Sequence, residues 1–140
     1  MINQPILALV IPCFNEQEVI NSTFQKLFLY KTKLVEKGVI HPNSIIIFID
    51  DGSKDNTWEL LEKIIFNYKN VVSLKLSKNF GHLNALLAGL VYSQKVADCA
   101  VSIDADLQQD FLIIESMVEK YTSGIELVYA VRNKRVGEKR

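Results

Sequence analysis

Asp104 and Asp106 stand two residues apart, and Gln108 follows two residues later. In an extended or turning segment this spacing lets both carboxylates face one hard cation, with the Gln108 amide oxygen as a further ligand. Mg2+ or Mn2+ suits such a set, because it takes few protein oxygens and keeps positions for water and phosphate. A lone Asp-x-Asp is more often turn chemistry, since Asp is common where strands end. A second acidic pair, Asp50 and Asp51, shifts the balance toward metal. Carboxylates gathered on one edge repel each other unless something cationic lies between them.

The remaining polar candidates each carry a structural alternative. Ser53, Asp55 and Asn56 could cap a following helix. Asp51 has no such role, and its carboxylate could accept from a nucleobase N–H or a ribose hydroxyl. Gly52 beside it would let backbone approach a ligand closely. Glu16 suits the first turn of a helix, where an acid favours the macrodipole. Asn79 fits a turn and Gly81 a helix start. His82 reads as a solvent-facing helix residue, because no Ser or Cys nucleophile is paired with it. From Arg132 to Arg140 there are five basic residues and one acidic one. That run is either a solvated end or a patch for phosphate and a membrane surface.

The elements that must position these residues follow from the apolar pattern. Residues 6–11 form a continuous apolar run ended by Pro12, a buried strand. Residues 16–36 repeat apolar side chains at helical spacing and Gly38 follows as a stop, with Asn15 and Glu18 resembling a capping pair. Residues 45–49, 71–76, 99–103 and 126–131 read as strands. Residues 56–68, 81–96 and 110–122 read as helices. Asn56 and Glu59 offer a second cap, and Leu83, Leu86, Leu87 and Leu90 share a face of the third helix. The chain is expected to be α/β, with a Rossmann-like, mostly parallel sheet flanked by helices and right-handed crossovers. In such sheets ligands bind beyond the carboxyl ends of the strands. All the candidates above fall there, with the two acidic pairs expected at adjacent strand ends.

The 140 residues amount to one domain, and 49% of them are apolar, enough for one core. Equal numbers of basic and acidic residues, 16 each, argue against nucleic acid as a main partner. No apolar run approaches the ~18 residues of a membrane span, and the first residues lack a signal-peptide layout. Cys13 and Cys99 lie in apolar segments and read as buried free thiols in a reducing compartment, hence a cytoplasmic location.

Four segments occur in order, each after a strand: Pro12-Cys13-Phe14-Asn15-Glu16, Asp50-Asp51-Gly52-Ser53-Lys54-Asp55, Asn79-Phe80-Gly81-His82-Leu83-Asn84-Ala85 and Asp104-Ala105-Asp106-Leu107-Gln108. Together they resemble family 2 glycosyltransferases of the GT-A fold. The branch that is similar includes dolichol-phosphate mannose synthases and bactoprenol glucosyltransferases, which transfer a sugar to a polyprenyl phosphate. The resemblance implies that Pro12, Phe14 and Glu16 line a nucleotide site, with Asp50 and Asn79 beside them and Asp51 on the base. It implies Asp104, Asp106 and Gln108 as the metal motif, Asp104 and Asp106 as catalytic, and Arg132 and Arg135 near the phosphates. The partners implied are a UDP- or GDP-linked sugar and a polyprenyl phosphate, at the cytoplasmic face of a membrane in a longer protein.

Two departures stand out. The family often follows its metal motif with an acid and two prolines, whereas Gln109, Asp110 and Phe111 stand here. Catalytic domains of this family also run well beyond residue 140, so residues 1–140 are expected to be the nucleotide-sugar-binding part of a longer domain. Exposed apolar faces would then favour self-association.

The chemistry is coherent. A cation between Asp106 and a diphosphate stabilises the charge on the departing nucleoside diphosphate. Attack from the opposite face inverts the anomeric carbon. A polyprenyl phosphate acceptor is already anionic and needs no base, and none stands out. Two alternatives remain at this level: a receiver-like phosphoacceptor domain, whose acidic pair would follow the first strand, and a nucleotide-sugar-binding module without turnover.

Overall fold

Strand β1 (Leu7–Cys13) is buried along its whole length, as a run of Leu, Ala, Val and Ile without charge requires of a central strand. In the computed structural model, which describes residues 4–107 and 110–126, it is followed by α1 (Ile20–Glu36), β2 (Ile45–Asp50), α2 (Thr57–Asn67), β3 (Val71–Lys75), α3 (His82–Ser93) and β4 (Cys99–Ser102). A 3-10 turn at Phe111–Ile113 then leads into α4 (Ile114–Thr122). The strands form one parallel sheet in the order β3-β2-β1-β4. This is the expected α/β architecture.

Alternation along the strands sends side chains to two faces. Leu7, Leu9, Ile11, Ile46 and Phe48 pack with Phe24 and Leu27 of α1, Leu61 and Ile64 of α2, and Ile114 and Val118 of α4. Ala8, Val10, Ile47 and Ile49 face α3. An aromatic cluster of Phe24, Phe28 and Tyr68 joins α1 to the end of α2.

Several expectations are corrected. β1 does not stop before Pro12 but runs through it to Cys13. The carbonyl of Val10 accepts from the Ile103 amide, on the β4 side. Two residues on, Pro12 points to that same side, and the pairing of β1 with β4 has already ended at Val10, so no ladder bond is lost. The buried residues of α3 are Ala85, Gly89 and Ser93, with Leu86 and Leu90 only partly buried, whereas Leu83 is 77% exposed and Leu87 58%. The reason is close approach: a Cβ on Gly89 would lie 2.5 Å from both Ile49 Cδ1 and Val10 Cγ1. The helix sits on the sheet through its small residues, with Leu86 and Leu90 packed at the margin and Leu83 and Leu87 turned outward.

Neither proposed capping pair forms. α1 begins at Ile20 with no side-chain cap, and Asn15 lies outside it with φ 52°. Asn56 does not cap α2 either; Asp55 accepts from the Thr57 amide instead. The two acidic pairs are not at adjacent strand ends, because β1 lies between β2 and β4. Both thiols are free, Cys13 buried and Cys99 half-buried. Of the expected last strand, Glu126 is a bend and residues 127–131 lie outside the described residues, as do Gln108, Arg132 and Arg135.

Candidate functional site

A cleft of about 430 Å3 opens at the carboxyl ends of β1, β2 and β4. That volume suits a small-molecule ligand. The end of β1 contributes Pro12, Cys13, Phe14 and Glu16. The segment after β4 contributes Asp104, Ala105 and Asp106, and the loop before α3 contributes Asn79, Gly81 and His82. Asp51 reaches the cleft from the end of β2. The sequence therefore names most of the lining.

Two loops frame the cleft and are laced together. The Asn15 amide donates to Ser53 Oγ at 2.8 Å, and the Lys54 amide donates back to Asn15 Oδ1 at 2.9 Å. The Glu16 amide donates to Thr57 Oγ1 at 2.8 Å, and the Gln17 amide to Asp55 Oδ2 at 3.3 Å. The Asn56 amide donates to Gln17 Oε1 at 3.1 Å. Ser53 thus holds the β1–α1 loop rather than capping α2. This lacing was not foreseen, because its partners are about forty residues apart. Gln17 and Thr57 are positioning residues that motif reading passed over, and Asn15, read there as a helix cap, ties the two loops instead.

The turn after β4 is also tied down. The Thr23 hydroxyl of α1 donates to the Ala105 carbonyl, and the Leu107 amide donates to the Asp104 carbonyl at 3.0 Å. Leu107 takes a left-handed conformation with φ 53°, an unfavourable setting for a leucine that the surrounding turn imposes.

The cleft is acidic. Burial first, and then the charges of Asp106 and Asp55, raise the Glu16 carboxyl above the ordinary glutamate value. Acids from different loops therefore feel each other across the cleft. His82 Nε2 lies 3.9 Å from Asp104 Oδ1, a loose pair that is ionic only when the imidazole is protonated. His82 is thus a cleft residue, half turned to solvent, rather than a plain surface position. Asp104 and Asp106 supply hard oxygens, the donor class for Mg2+ or Mn2+. Among the described residues no three His, Cys, Asp or Glu side chains gather at metal-binding distance.

Two candidates stand differently from expectation. Asp50 is fully buried and does not line the cleft; its Oδ1 accepts from the Ser53 amide at 3.3 Å, and its Oδ2 has no hydrogen-bond partner among the described residues. It has turned away because it continues the inward alternation of Ile46 and Phe48 along β2. Such a carboxylate has no access to an incoming phosphoryl group, which counts against Asp50 as the phosphoacceptor of a receiver-like domain. Asp51 is 3% exposed and both its oxygens accept from loop amides, Phe80 at 2.8 Å and Gly81 at 3.1 Å.

Known proteins place this arrangement. The uncharacterised glycosyltransferase YkoT of Bacillus subtilis (strain 168) is 47% identical over 133 residues, covering 95% of this chain and 40% of that protein. The bactoprenol glucosyl transferase of Shigella phage SfX is 36% identical over 130 residues, covering 92% and 40%. The chain spans about 40% of the length of these curated relatives. The mannosyltransferase PcManGT from Pyrobaculum calidifontis, solved with GDP-Man and Mn2+, has a TM-score of 0.66 at 17% identity, over 83% of this chain and 32% of that one. S. aureus TarS 1-349 in complex with UDP has a TM-score of 0.57 at 17% identity, over 83% and 32%. At that identity the likeness speaks for the fold alone, which is GT-A. The family model described as glycosyl transferase family 2 matches from Ala8 in β1 through residue 140, so the four strand-end segments fall inside one continuous match. The chain belongs to glycosyl transferase family 2.

Proposed function

We propose that this chain forms the donor-binding part of an inverting glycosyltransferase that moves a sugar from a UDP- or GDP-linked donor to a polyprenyl phosphate. The observation that carries the reading is the acidic cleft at the carboxyl ends of the strands, with Asp104 and Asp106 in its wall and the Glu16 carboxyl raised by burial and then by the charges of Asp106 and Asp55. A nucleoside diphosphate is itself an anion, so a cleft of this charge accepts it only together with a cation.

Pro12 and Phe14, the latter 42% exposed, offer an apolar surface for the flat face of a base. Asn79 and Glu16 stand beside it with groups that can hydrogen-bond a base or ribose. Asp104 and Asp106 would hold the divalent cation, with Gln108 as the third oxygen the family pattern supplies. The cation, when bound, neutralises the diphosphate and stabilises the charge left on it as the sugar departs. Asp104 and Asp106 are held for that task by the Thr23 bond to Ala105, which fixes the turn between them. Arg132 and Arg135 take the phosphate-contacting role by family pattern.

The relatives named bactoprenol glucosyl transferase support a polyprenyl phosphate acceptor. Its phosphate is already anionic at neutral pH and needs no protein base. Such an acceptor places the reaction at a membrane surface, and no helix among the described residues is long and apolar enough to cross one.

Calorimetric titration of UDP and GDP, with and without Mn2+, tests the reading. We expect Mn2+-dependent binding that Asp106→Ala abolishes while the circular dichroism of the fold is kept. Unchanged Mn2+-dependent affinity in the variant would sink the metal assignment.

A further inference from the structure

We infer that Tyr30 is a positioning residue for the metal motif: from α1 it fixes the segment that follows the Asp104–Asp106 turn, so that α1 holds that turn from both sides. The inference rests on the donor-site reading above and adds to it a residue outside the four strand-end segments.

Thr23, Tyr30 and Lys37 stand seven residues apart along α1 and its C-cap. Seven residues are close to two helical turns, so the three share one stripe, with successive members about 10.5 Å apart. All three reach the same stretch of chain. The Thr23 hydroxyl donates to the Ala105 carbonyl. The Tyr30 hydroxyl donates to the Leu112 carbonyl at 3.0 Å and accepts from the Glu115 amide at 3.1 Å. Lys37 Nζ donates to Glu115 Oε1 at 2.6 Å and Oε2 at 2.7 Å. The stripe therefore meets residues 105, 112 and 115 in order, and the chain leaving the metal motif is laid along α1.

The middle contact decides the geometry. Lys37 is exposed, and exposed ion pairs add little. Apolar burial does not hold the 3-10 turn either, since Leu112 is 62% exposed and Ile113 37%. α4 begins with no side-chain cap of its own, and the Glu115 amide is among the donors that a helix start leaves without an intrahelical partner. Tyr30 supplies that acceptor from another helix. Its ring also meets Phe111 edge-on, with centroids 5.3 Å apart. Asp110 closes the turn by accepting from the Leu112 amide at 3.0 Å. This lock sits where the sequence departs from the family pattern, at Asp110 and Phe111.

Tyr30→Phe removes the hydroxyl and keeps the ring on Phe111. Amide hydrogen exchange on the ligand-free 140-residue chain reads the result at two places. At Glu115, the direct partner, exchange should rise about two- to tenfold, the range of one lost hydrogen bond. At Leu107, whose amide closes the metal-motif turn on the Asp104 carbonyl, exchange should rise as well, although this turn precedes Glu115 by eight residues. A rise at Glu115 with Leu107 unchanged would reduce Tyr30 to a helix cap and overturn the inference.

Calorimetric titration with UDP and GDP then separates positioning from stability. Tyr30→Phe should cut the gain in affinity that Mn2+ brings by about tenfold, as loss of a group that supports metal ligands does, and leave binding without Mn2+ unchanged. An equal loss with and without Mn2+ would overturn the inference. Phe111→Pro in the Tyr30→Phe background supplies a rescue. Phe111 is the first residue of the 3-10 turn, a position that tolerates proline, and Asp110 before it is extended, at φ -78° and ψ 94°, as a residue before proline favours. Proline should restore both the protection of Leu107 and the Mn2+ gain. Failure to restore them would show that Tyr30 does not act by holding this segment, and would overturn the inference. If the unaltered chain gains no affinity from Mn2+, the donor-site reading falls, and exchange at Leu107 still decides whether Tyr30 holds the turn.

Discussion

Asp55 sits where the two loops that frame the cleft meet, and its carboxylate serves both. Oδ1 accepts from the Thr57 amide at 2.9 Å and hydroxyl at 2.6 Å, while Oδ2 accepts from the Gln17 amide. Burial alone would raise its pKa, but the Thr57 and Gln17 bonds outweigh it and hold the carboxyl below the ordinary aspartate value. The sign follows from linkage. A depressed carboxyl adds stability that is fully present above the unfolded value, about 3.9, and is lost as pH falls through the lower folded value. At pH 7 Asp55→Ala should cost about 1 kcal/mol, the usual loss for a helix-capping side chain. Urea unfolding followed by Trp58 fluorescence checks this. The gap between the two proteins should narrow as pH falls below about 3.9. A gap independent of pH would mean that charge contributes nothing at this position.

α3 tests how an element finds its face. Helix propensity alone says that Gly89→Ala stabilises by about 1 kcal/mol. Contact with Ile49 and Val10 says the opposite, since the added methyl has no room, and overpacking costs about 1–3 kcal/mol. We expect a net loss on chemical denaturation, whereas Leu83→Lys and Leu87→Lys should each stay within about 0.5 kcal/mol of the parent. A large loss at Leu83 would return that residue to the core. Helical spacing in the sequence places Leu83, Leu86, Leu87 and Leu90 on one face, but periodicity counts apolarity and cannot register that close approach to the sheet favours small side chains. The strands were easier: an unbroken β-branched and aromatic run such as Ile45–Ile49 has one reading. Most of the cleft was legible for the same reason, since Phe14, Glu16, Asn79, Asp104 and Asp106 lie just beyond the strands that the apolar pattern marks, and Pro12 lies at the end of the first. The caps were not. Ser53 serves Asn15 rather than its own helix, a partner 38 residues away that local spacing cannot show. Asp50 was misplaced because an Asp-Asp pair looks alike at both positions, while strand alternation turns one inward and leaves the other at the cleft.

Taken as a whole the molecule is neutral, with 16 basic and 16 acidic residues, yet its cleft is acidic. Stability should therefore answer to ligand in a set order. On the proposed reading, a divalent cation such as Mn2+ would relieve the carboxylate repulsion, and a nucleoside diphosphate would then have a cation to join. At one hundred times the dissociation constant, a ligand that binds only the folded chain adds about 2.7 kcal/mol. For a domain of this size that is a rise of several degrees in Tm. Thermal scans should show a larger rise with UDP or GDP plus Mn2+ than with either alone. Equal shifts with and without the cation would contradict a charge-bridging role for it.

The strand order carries a consequence for how the molecule is made. β1 is central and buried, and its two neighbours are β2 and β4, the latter encoded roughly 90 residues after it. A ribosome adds residues at about 5–20 per second, so a delay on the order of ten seconds separates the emergence of β1 from that of β4. During that interval a nascent β1-β2-β3 sheet would present one bare edge of its most apolar strand, the kind of edge on which chains pair wrongly. β4 is the shortest strand among the described residues, yet it is the one that covers this edge. Slow translation before residue 102, or substitutions that weaken β4, should therefore lower the yield of folded protein well before they lower the stability of molecules that have already folded.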